Sequence, residues 1–292
     1  MRASAEPPRI AGTTQVLGVI GWPVDHSLSP AIHNAAFTAL GLDWVYVPMA
    51  VPPGRVGSAV EGLAALGFRG AYVTMPHKDE VAASVGSLDD DAALLRAANT
   101  IVVEADGSTK GHNTDAPGFQ RFLIGDAGFD PAGRTVLLLG GGGAARACAL
   151  ALARAGAARI SVAVRNPAQA EAIRELAGPA GAEVVGLELA DARQAAAELV
   201  VNATPLGREG ELPPHPPFES GMVAVDLLYH PAVTPFQREA REAGAEAFGG
   251  LGLLLHQAAL SFELWTGRPA PLDVMSAAAV AATAEDGAAR GA

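Results

Sequence analysis

The first candidate for chemistry in this sequence is a lysine in a chain that almost always uses arginine. Of 20 Lys and Arg residues only two are lysines, and one of them, Lys78, closes the polar segment Val73–Lys78. The pKa of a lysine ammonium responds to burial and to neighbouring charges, whereas a guanidinium stays protonated. Asp115 closes a second polar segment, Asn113–Asp115. An ammonium and a carboxylate in such settings predict proton transfer at a carbonyl or an alcohol, although a surface lysine and a turn aspartate would give the same pattern.

Size and charge exclude several classes of protein. The chain has 292 residues, half of them apolar, which is enough for two domains of ordinary size. A formal net charge of -11 argues against nucleic acid or an anionic membrane surface as the main partner. The single cysteine, Cys148, excludes an internal disulfide, and His26 and His77 lack metal-ligand spacing. No apolar stretch reaches the roughly 18 residues of a membrane span, so we expect a cytoplasmic protein without a metal.

Strand-like and helix-like segments alternate along the chain in two successive series. The first series begins with the apolar run Leu17–Ile20, and the second begins with Thr135–Leu139 after a polar, Gly- and Pro-rich region at 107–117. Such alternation is typical of a mostly parallel sheet with helices on its faces. The sequence therefore predicts an α/β protein. Within the first series, Ser29 before Pro30 predicts a helix whose N-cap is Ser29.

A glycine-rich loop follows the strand Thr135–Leu139 and leads into a long helix rich in Ala and Leu. Glycines at 140 and 142, with Ala145 in the third place, fit the G-x-G-x-x-G/A pattern of dinucleotide-binding proteins. Such glycines let the backbone approach a pyrophosphate, and the helix N-terminus offers N–H groups to it. A glycine run also occurs in loops that bind nothing, but the strand before it and the helix after it favour a dinucleotide site.

The residues after the next strand indicate which dinucleotide binds. NAD-binding units usually place an acid there, which holds the ribose 2′-hydroxyl. Here Val164 is followed by Arg165 and Asn166, and no acid is present. A guanidinium is suited to pair with a 2′-phosphate, although a solvated arginine after a strand would look the same. NADP(H) is therefore the expected cofactor.

Several short motifs, taken in order, resemble the shikimate dehydrogenase family over nearly the whole chain. Each motif alone is weak, but eight in this order make a chance match improbable. In chain order they are Gly21–Pro23 with His26–Pro30 and His33–Asn34, Val73–Lys78, Ala98–Thr100, Asn113–Asp115 with Gly118, the glycine loop, Asn202–Gly207, Asp226–Tyr229, and Gly250–Gly252 with Gln257.

The resemblance implies two domains with the active site in the cleft between them. Residues 1–115 and 250–292 would form the substrate-binding domain, and residues 116–249 a Rossmann-like NADP-binding domain. The implied reaction is reversible hydride transfer between NADPH and 3-dehydroshikimate, which gives shikimate in aromatic amino acid biosynthesis. Lys78 and Asp115 would be the catalytic pair, in which the carboxylate orients the ammonium.

The resemblance also implies a set of binding residues. The substrate would contact Ser27, Ser29, Thr74, Asn99, Asp115, Tyr229 and Gln257. The cofactor would contact Gly140, Gly141, Gly142, Gly143, Ala144, Arg165, Asn166, Thr204, Leu227 and Gly250. Small polar side chains of this kind suit a ring that carries one carboxylate and several hydroxyls.

Some positions depart from the family pattern and keep alternatives open. Val164 and Gln169 occupy positions where other members of the family often carry residues that help to hold the 2′-phosphate. The sequence therefore predicts a strict preference for NADP over NAD less firmly. The same motifs suit a quinate/shikimate or aminoshikimate dehydrogenase, or a non-catalytic ligand-sensing protein on this fold. Gln257 would also read as a buried polar group of a helix. The expected partners are small molecules, and a monomer or a homodimer is expected.

Overall fold

The chain passes through two α/β units, which the computed structural model describes over residues 10–208 and 210–290, with side chains described as far as Ala284. One unit contains the described residues up to Thr114 together with Ala258–Asp286, and the other contains Asp115–Gln257. Each unit is built around its own six-stranded sheet. The predicted α/β fold with two mostly parallel sheets is confirmed.

The first unit alternates strands and helices around a mixed sheet. Its elements are β1 (Gln15–Gly21), α1 (Ser29–Ala39), β2 (Trp44–Ala50), α2 (Val56–Ala65), β3 (Gly70–Val73), α3 (Lys78–Ser84), β4 (Ser87–Leu88), α4 (Asp90–Leu95), β5 (Thr100–Val103) and β6 (Thr109–His112). The strand order is β2-β1-β3-β5-β6-β4, and β5 runs antiparallel to both β3 and β6. The first residue of β5 therefore lies at the same sheet edge as the last residues of β3 and β6.

Helix α1 packs an apolar face onto this sheet and begins earlier than predicted. Ile32 and Ala36, and likewise His33 and Phe37, are buried at the i and i+4 spacing of a helix face. The helix starts at Ser29, and the N-cap position is Leu28, which has no capping side chain. The prediction that Ser29 is the N-cap is therefore wrong.

The second unit is an all-parallel Rossmann sheet. Its elements are α5 (Asp115–Gly125), β7 (Thr135–Leu139), α6 (Gly143–Arg154), β8 (Arg159–Val164), α7 (Pro167–Ala177), β9 (Glu183–Glu188), β10 (Leu199–Asn202), β11 (Val223–Asp226), α8 (Pro235–Glu242) and β12 (Glu246–Gly249). The order β12-β11-β10-β7-β8-β9 is the 3-2-1-4-5-6 order of dinucleotide-binding folds, read from its other end. Ligands of such sheets bind beyond the carboxyl ends of the strands, where the order reverses, which here is between β7 and β10.

Two helices follow the second sheet. They are α9 (Leu251–Thr266) and α10 (Leu272–Arg290). The second half of α9 belongs to the first unit, where Trp265 Nε1 donates to the carbonyl oxygen of Ile101 at 2.9 Å. Across the described part of the chain, no helix combines the length and the apolar character needed to span a membrane. The same residues contain no group of three or more His, Cys, Asp or Glu side chains that could hold a metal ion.

Candidate active site

The loops that follow β1 and β3 run side by side in the first unit. The backbone N–H of Thr74 donates to the carbonyl oxygen of Ile20 at 2.9 Å. Gly21 permits the close approach, because a Cβ atom at this position would lie 2.4 Å from Thr74 Cγ2. Thr74 is thereby held beside the segment that leads to Ser27 and Ser29.

The two predicted carboxylate-binding serines lie at the start of α1. Ser27 Oγ accepts a hydrogen bond from the backbone N–H of Ser29 at 3.3 Å, so Ser27 satisfies one of the donors that a helix start leaves open. Ser29 is buried. Burial, together with the nearby Tyr72, raises the pKa of the Tyr46 hydroxyl far above its ordinary value. Tyr46, which the sequence did not single out, stacks its ring on that of His33 in helix α1, with 4.5 Å between the ring centroids.

Asn99 joins the edges of β5 and β6. Its Oδ1 accepts from the Thr114 backbone N–H at 2.8 Å, and its Nδ2 donates to Thr114 Oγ1 at 3.0 Å. Ser261 of α9 closes the group, with its hydroxyl 2.7 Å from Thr100 Oγ1 and 3.2 Å from Thr114 Oγ1. All four residues are buried. This network fixes the orientation of the Asn99 amide.

Lys78 is the first residue of α3 and is half-buried. Its carbonyl oxygen accepts from the backbone N–H of Ala98 at 2.9 Å, which ties the helix start to the residue before Asn99. The Nζ atom lies 6.0 Å from the centroid of the Tyr72 ring. The ammonium is thus placed in the same unit as the serines, Thr74 and Asn99.

Asp115, Tyr229 and Gln257 belong to the second unit. Asp115 is the first residue of α5 and is buried, at the helix end where the dipole favours a carboxylate. Gln257 is 2% exposed and donates from Nε2 to the carbonyl oxygen of Leu254 at 2.7 Å. Tyr229 is half-buried, follows β11, and packs its ring 4.9 Å from that of His230.

The glycine loop lies at the point where the strand order of the second sheet reverses. Gly140 follows β7 with φ of +107°, a conformation that favours glycine. A Cβ atom at this position would lie 3.0 Å from the carbonyl oxygen of Ala203 and 3.1 Å from Thr204 Cγ2. Gly142, Gly143 and Ala144 are exposed at the start of α6. The loop therefore presents backbone N–H groups at a helix N-terminus, as pyrophosphate binding requires.

The other predicted cofactor residues follow the carboxyl ends of the neighbouring strands. Arg165 and Asn166 are exposed after β8, and Asn166 Oδ1 accepts from the Ala168 backbone N–H at 3.1 Å, which caps α7. Thr204 follows β10. Leu227 follows β11, and Gly250 follows β12. The two residues lie so close together that a Cβ atom added to Gly250 would be 2.1 Å from the Leu227 carbonyl oxygen.

Comparison with known proteins decides the family. The pattern described as the shikimate dehydrogenase substrate binding domain matches residues 19–101, and the one described as the shikimate 5′-dehydrogenase C-terminal domain matches residues 250–280. Shikimate dehydrogenase (NADP(+)) of Rubrobacter xylanophilus is 46% identical over 266 residues, 89% of this chain and 93% of that protein. The chain belongs to the shikimate dehydrogenase family.

Solved structures of this family share the fold. The crystal structure of shikimate 5-dehydrogenase from Thermus thermophilus in complex with NADP(H) and shikimate has a TM-score of 0.82 and 37% identity, covering 92% of this chain and 100% of that one. Quinate dehydrogenase from Corynebacterium glutamicum in complex with NAD has a TM-score of 0.82 and 31% identity, covering 92% and 99%. The resemblance that the sequence motifs indicate is confirmed.

Sequence reasoning assigned no role to two polar residues at the ends of strands in the second unit. Asn202 and Asp226 end β10 and β11 and are fully buried. Their place at the end of an apolar strand could have indicated a structural role, since buried polar groups require hydrogen-bond partners. Tyr46 and Ser261 gave no such signal, because their contacts come from elements distant in the chain.

Proposed function

We propose that this protein catalyses the reversible reduction of 3-dehydroshikimate to shikimate with NADPH. The observation that carries the proposal is that the two units carry different kinds of binding groups. One carries short hydroxyl and amide groups and the half-buried ammonium of Lys78, and the other carries a glycine loop at the strand-order reversal of a Rossmann sheet. Relatives up to 46% identical, named shikimate dehydrogenase (NADP(+)), support the same activity.

The substrate is assigned to the short polar side chains. Ser27 and Ser29 donate to the carboxylate, at a helix start whose N–H groups also favour an anion. Thr74, Asn99 and Gln257 hydrogen-bond the ring hydroxyls, and Tyr229 lines the site. Because buried polar groups left without partners are costly, such a site rejects analogues that lack the hydroxyls.

Lys78 is assigned the proton transfer, and Asp115 the orientation of the substrate. Bound NADPH supplies a hydride to the carbonyl carbon, and NADP⁺ accepts it in reverse. As the carbonyl oxygen gains negative charge, the Lys78 ammonium stabilises it and gives up a proton to it. In the reverse direction the neutral amine takes the proton from the alcohol. The Asp115 carboxylate accepts a hydrogen bond from a ring hydroxyl, which holds the ring in one orientation.

The cofactor is assigned to the carboxyl edge of the second sheet. The pyrophosphate lies on Gly140–Ala144, the 2′-phosphate pairs with Arg165 beside Asn166, and the nicotinamide end lies by Thr204, Leu227 and Gly250. Arg165 is exposed after β8, at the place where NAD-binding units carry an acid. This favours NADP(H) over NAD(H).

A second candidate is oxidation of quinate with NAD. Its support is the likeness to the quinate dehydrogenase from Corynebacterium glutamicum, whose structure is in complex with NAD. Arg165 and the serines at 27 and 29 favour shikimate and NADP instead. A purely ligand-sensing role is less well supported, because both Lys78 and Asp115 are retained.

The assembly and the compartment are part of the proposal. We expect the protein to lie in the cytoplasm as a monomer or a homodimer. Sedimentation of the purified chain distinguishes these two oligomeric states.

The test is a matrix of initial rates with the purified protein. Shikimate and quinate are each combined with NADP⁺ and with NAD⁺, and the absorbance of the reduced nicotinamide is followed. The highest kcat/KM is expected for shikimate with NADP⁺. A higher value for quinate with NAD⁺ would support the second candidate, and no reduction in any of the four mixtures would support the sensing role.

A further inference from the structure

A buried polar network lies beneath the carboxyl ends of β10, β11 and β12. Its members are Asn202, Asp226, Thr234 and Gln237, and all four are at most 2% exposed. Asn202 and Asp226 are the last residues of adjacent parallel strands and lie opposite one another in the register. The network therefore joins neighbouring strand ends rather than residues close in sequence.

Asn202 fixes the loop that carries Thr204. Its Oδ1 accepts from the Thr204 backbone N–H at 3.0 Å and from Thr204 Oγ1 at 2.7 Å. Its Nδ2 donates to the carbonyl oxygen of Leu206 at 3.0 Å and to Asp226 Oδ1 at 3.0 Å. Both sides of the amide are thus engaged, and Thr204 has its backbone and its hydroxyl held by one side chain.

Asp226 fixes the turn that follows β11. Besides the bond from Asn202, its Oδ1 accepts from the Leu228 backbone N–H at 3.1 Å. Its Oδ2 accepts from Thr234 Oγ1 at 2.6 Å. Three donors therefore converge on one carboxylate, and Leu227 lies between Asp226 itself and Leu228, whose backbone N–H this carboxylate accepts.

The network continues to the third strand end. Thr234 caps α8 and forms a capping box with Gln237. The Gln237 side chain lies beneath Gly249, since a Cβ atom there would be 2.8 Å from Gln237 Nε2. Gly250 comes next in the chain. One chain of contacts thus runs from Thr204 to the segment before Gly250.

The chemistry of the Asp226 carboxylate indicates that it serves to position the neighbouring loops rather than to stabilise the fold. Burial raises the pKa of Asp226, and the bonds from Thr234, Leu228 and Asn202 oppose that rise. Removing a carboxylate from water is costly even when donors surround it. Apolar residues would fill such a place at lower cost, but they could not direct three loops.

We propose that Asp226 and Asn202 are positioning residues for the dinucleotide, which set the places of Thr204, Leu227 and Gly250 without touching the ligand. This inference rests on the proposed function, because it requires the second unit to bind NADP(H). It extends that proposal to two residues that have no assigned role in binding or catalysis.

The test measures the Kd of NADP⁺ by calorimetry on the full chain without substrate. Asp226→Ala and Asn202→Ala are each expected to raise this Kd by about 10- to 100-fold, as for the loss of a hydrogen bond to a charged group. Asp226→Asn keeps the shape and the acceptor Oδ1, so it is expected to restore most of the affinity. Ser161→Ala, which removes a buried hydroxyl from β8 of the same unit, is the matched control and is expected to bind as the wild type.

A double-mutant cycle distinguishes positioning from general destabilisation. Since Asn202 acts through Thr204, Asn202→Ala combined with Thr204→Val is expected to cost no more than the larger single effect, whereas independent effects would add. The inference is overturned if the alanine variants bind NADP⁺ as the wild type does, or if the cycle is additive. If Asp226→Ala does not fold, Asn202→Ala and the cycle decide the question. A wild-type protein that does not bind NADP⁺ would refute the proposed function itself.

Discussion

Gly118 of α5 lies against the backbone of Gln257 in α9. A Cβ atom at position 118 would lie 2.9 Å from the Gln257 nitrogen and 3.0 Å from its Cα, closer than ordinary packing allows. The same two helices meet again where a Cβ atom at Gly252 would lie 2.3 Å from the ring of Phe122. These glycines set the distance between the helix that begins at Asp115 and the turn that carries Gln257.

The first prediction concerns this helix pair. Gly118→Ala should push Gln257 away from α5 and raise the KM for shikimate by about 10-fold, while the Kd of NADP⁺ changes little. Overpacking of this kind also lowers the free energy of unfolding by about 1–3 kcal/mol. Gly125→Ala is the matched control, because it lies in the same helix and an added Cβ atom meets nothing within 4 Å. Equal KM values for the two variants would show that the spacing does not matter for substrate binding.

The second prediction concerns Arg165 and the choice of cofactor. Arg165→Ala should raise the KM for NADP⁺ by about 10- to 100-fold, because a charge-assisted hydrogen bond to the 2′-phosphate is lost. The KM for NAD⁺, which lacks that phosphate, should stay nearly constant. Steady-state kinetics with both cofactors measure this, and Arg159→Ala, a half-exposed arginine at the start of the same strand, is the control. A similar loss with both cofactors would contradict the assignment.

The third prediction concerns stability in acid. His33 is enclosed by aromatic rings, with Tyr46 stacked at 4.5 Å between ring centroids and Phe262 at 6.3 Å. Burial lowers its pKa from 6.5 to about 3. Between these values the unfolded state binds a proton that the folded state excludes, so His33 makes stability fall as pH drops, by up to about 1.4 kcal/mol per pH unit.

Denaturant unfolding at a series of pH values measures this effect. His33→Phe, which keeps an aromatic ring in the stack, should show a shallower loss of unfolding free energy below pH 6.5 than the wild type. His26→Asn, at an exposed position, should follow the wild type. Parallel curves for the wild type and His33→Phe would exclude His33 as the source.

The fourth prediction concerns proton transfer by Lys78. Lys78→Met should keep the fold and much of the shikimate affinity, because the serine, threonine and amide contacts remain. The loss should appear in kcat, by about 10²- to 10⁴-fold for a positioned acid or base, with little change in KM. Lys78→Arg keeps a cation but cannot readily release a proton, so it should be almost as impaired. Near-normal kcat in Lys78→Met would move the proton transfer to another group, and Lys110→Met is the lysine control.

Regular, strongly apolar elements could be predicted from the sequence almost to the residue. Strand β7 begins and ends where the apolar run Thr135–Leu139 does, because an apolar run followed by glycines is a local signal. Strand β6 was missed, since Thr109–His112 lies in a region that reads as a polar separator. It forms because its backbone pairs with β5, a contact that the local pattern does not encode.

In the candidate site too, features with a local signal could be predicted from the sequence, and features that depend on tertiary packing could not. The glycine loop and Arg165 could be located because each follows a recognisable strand. The bond between Asn202 and Asp226 could not, because it depends on which strands lie side by side and in what register. The stacking of Tyr46 in β2 on His33 in α1 likewise requires the strand to pack on the helix, which no local spacing reveals.

The most direct test of the central claim follows the hydride itself. The purified protein is given 3-dehydroshikimate with NADPH deuterated at C4 of the nicotinamide, in separate reactions for the two faces of the ring, and the shikimate formed is analysed by mass spectrometry. The proposed function predicts shikimate that carries one deuterium from one of the two cofactors and none from the other. Shikimate without deuterium in both reactions, or no shikimate at all, would contradict it.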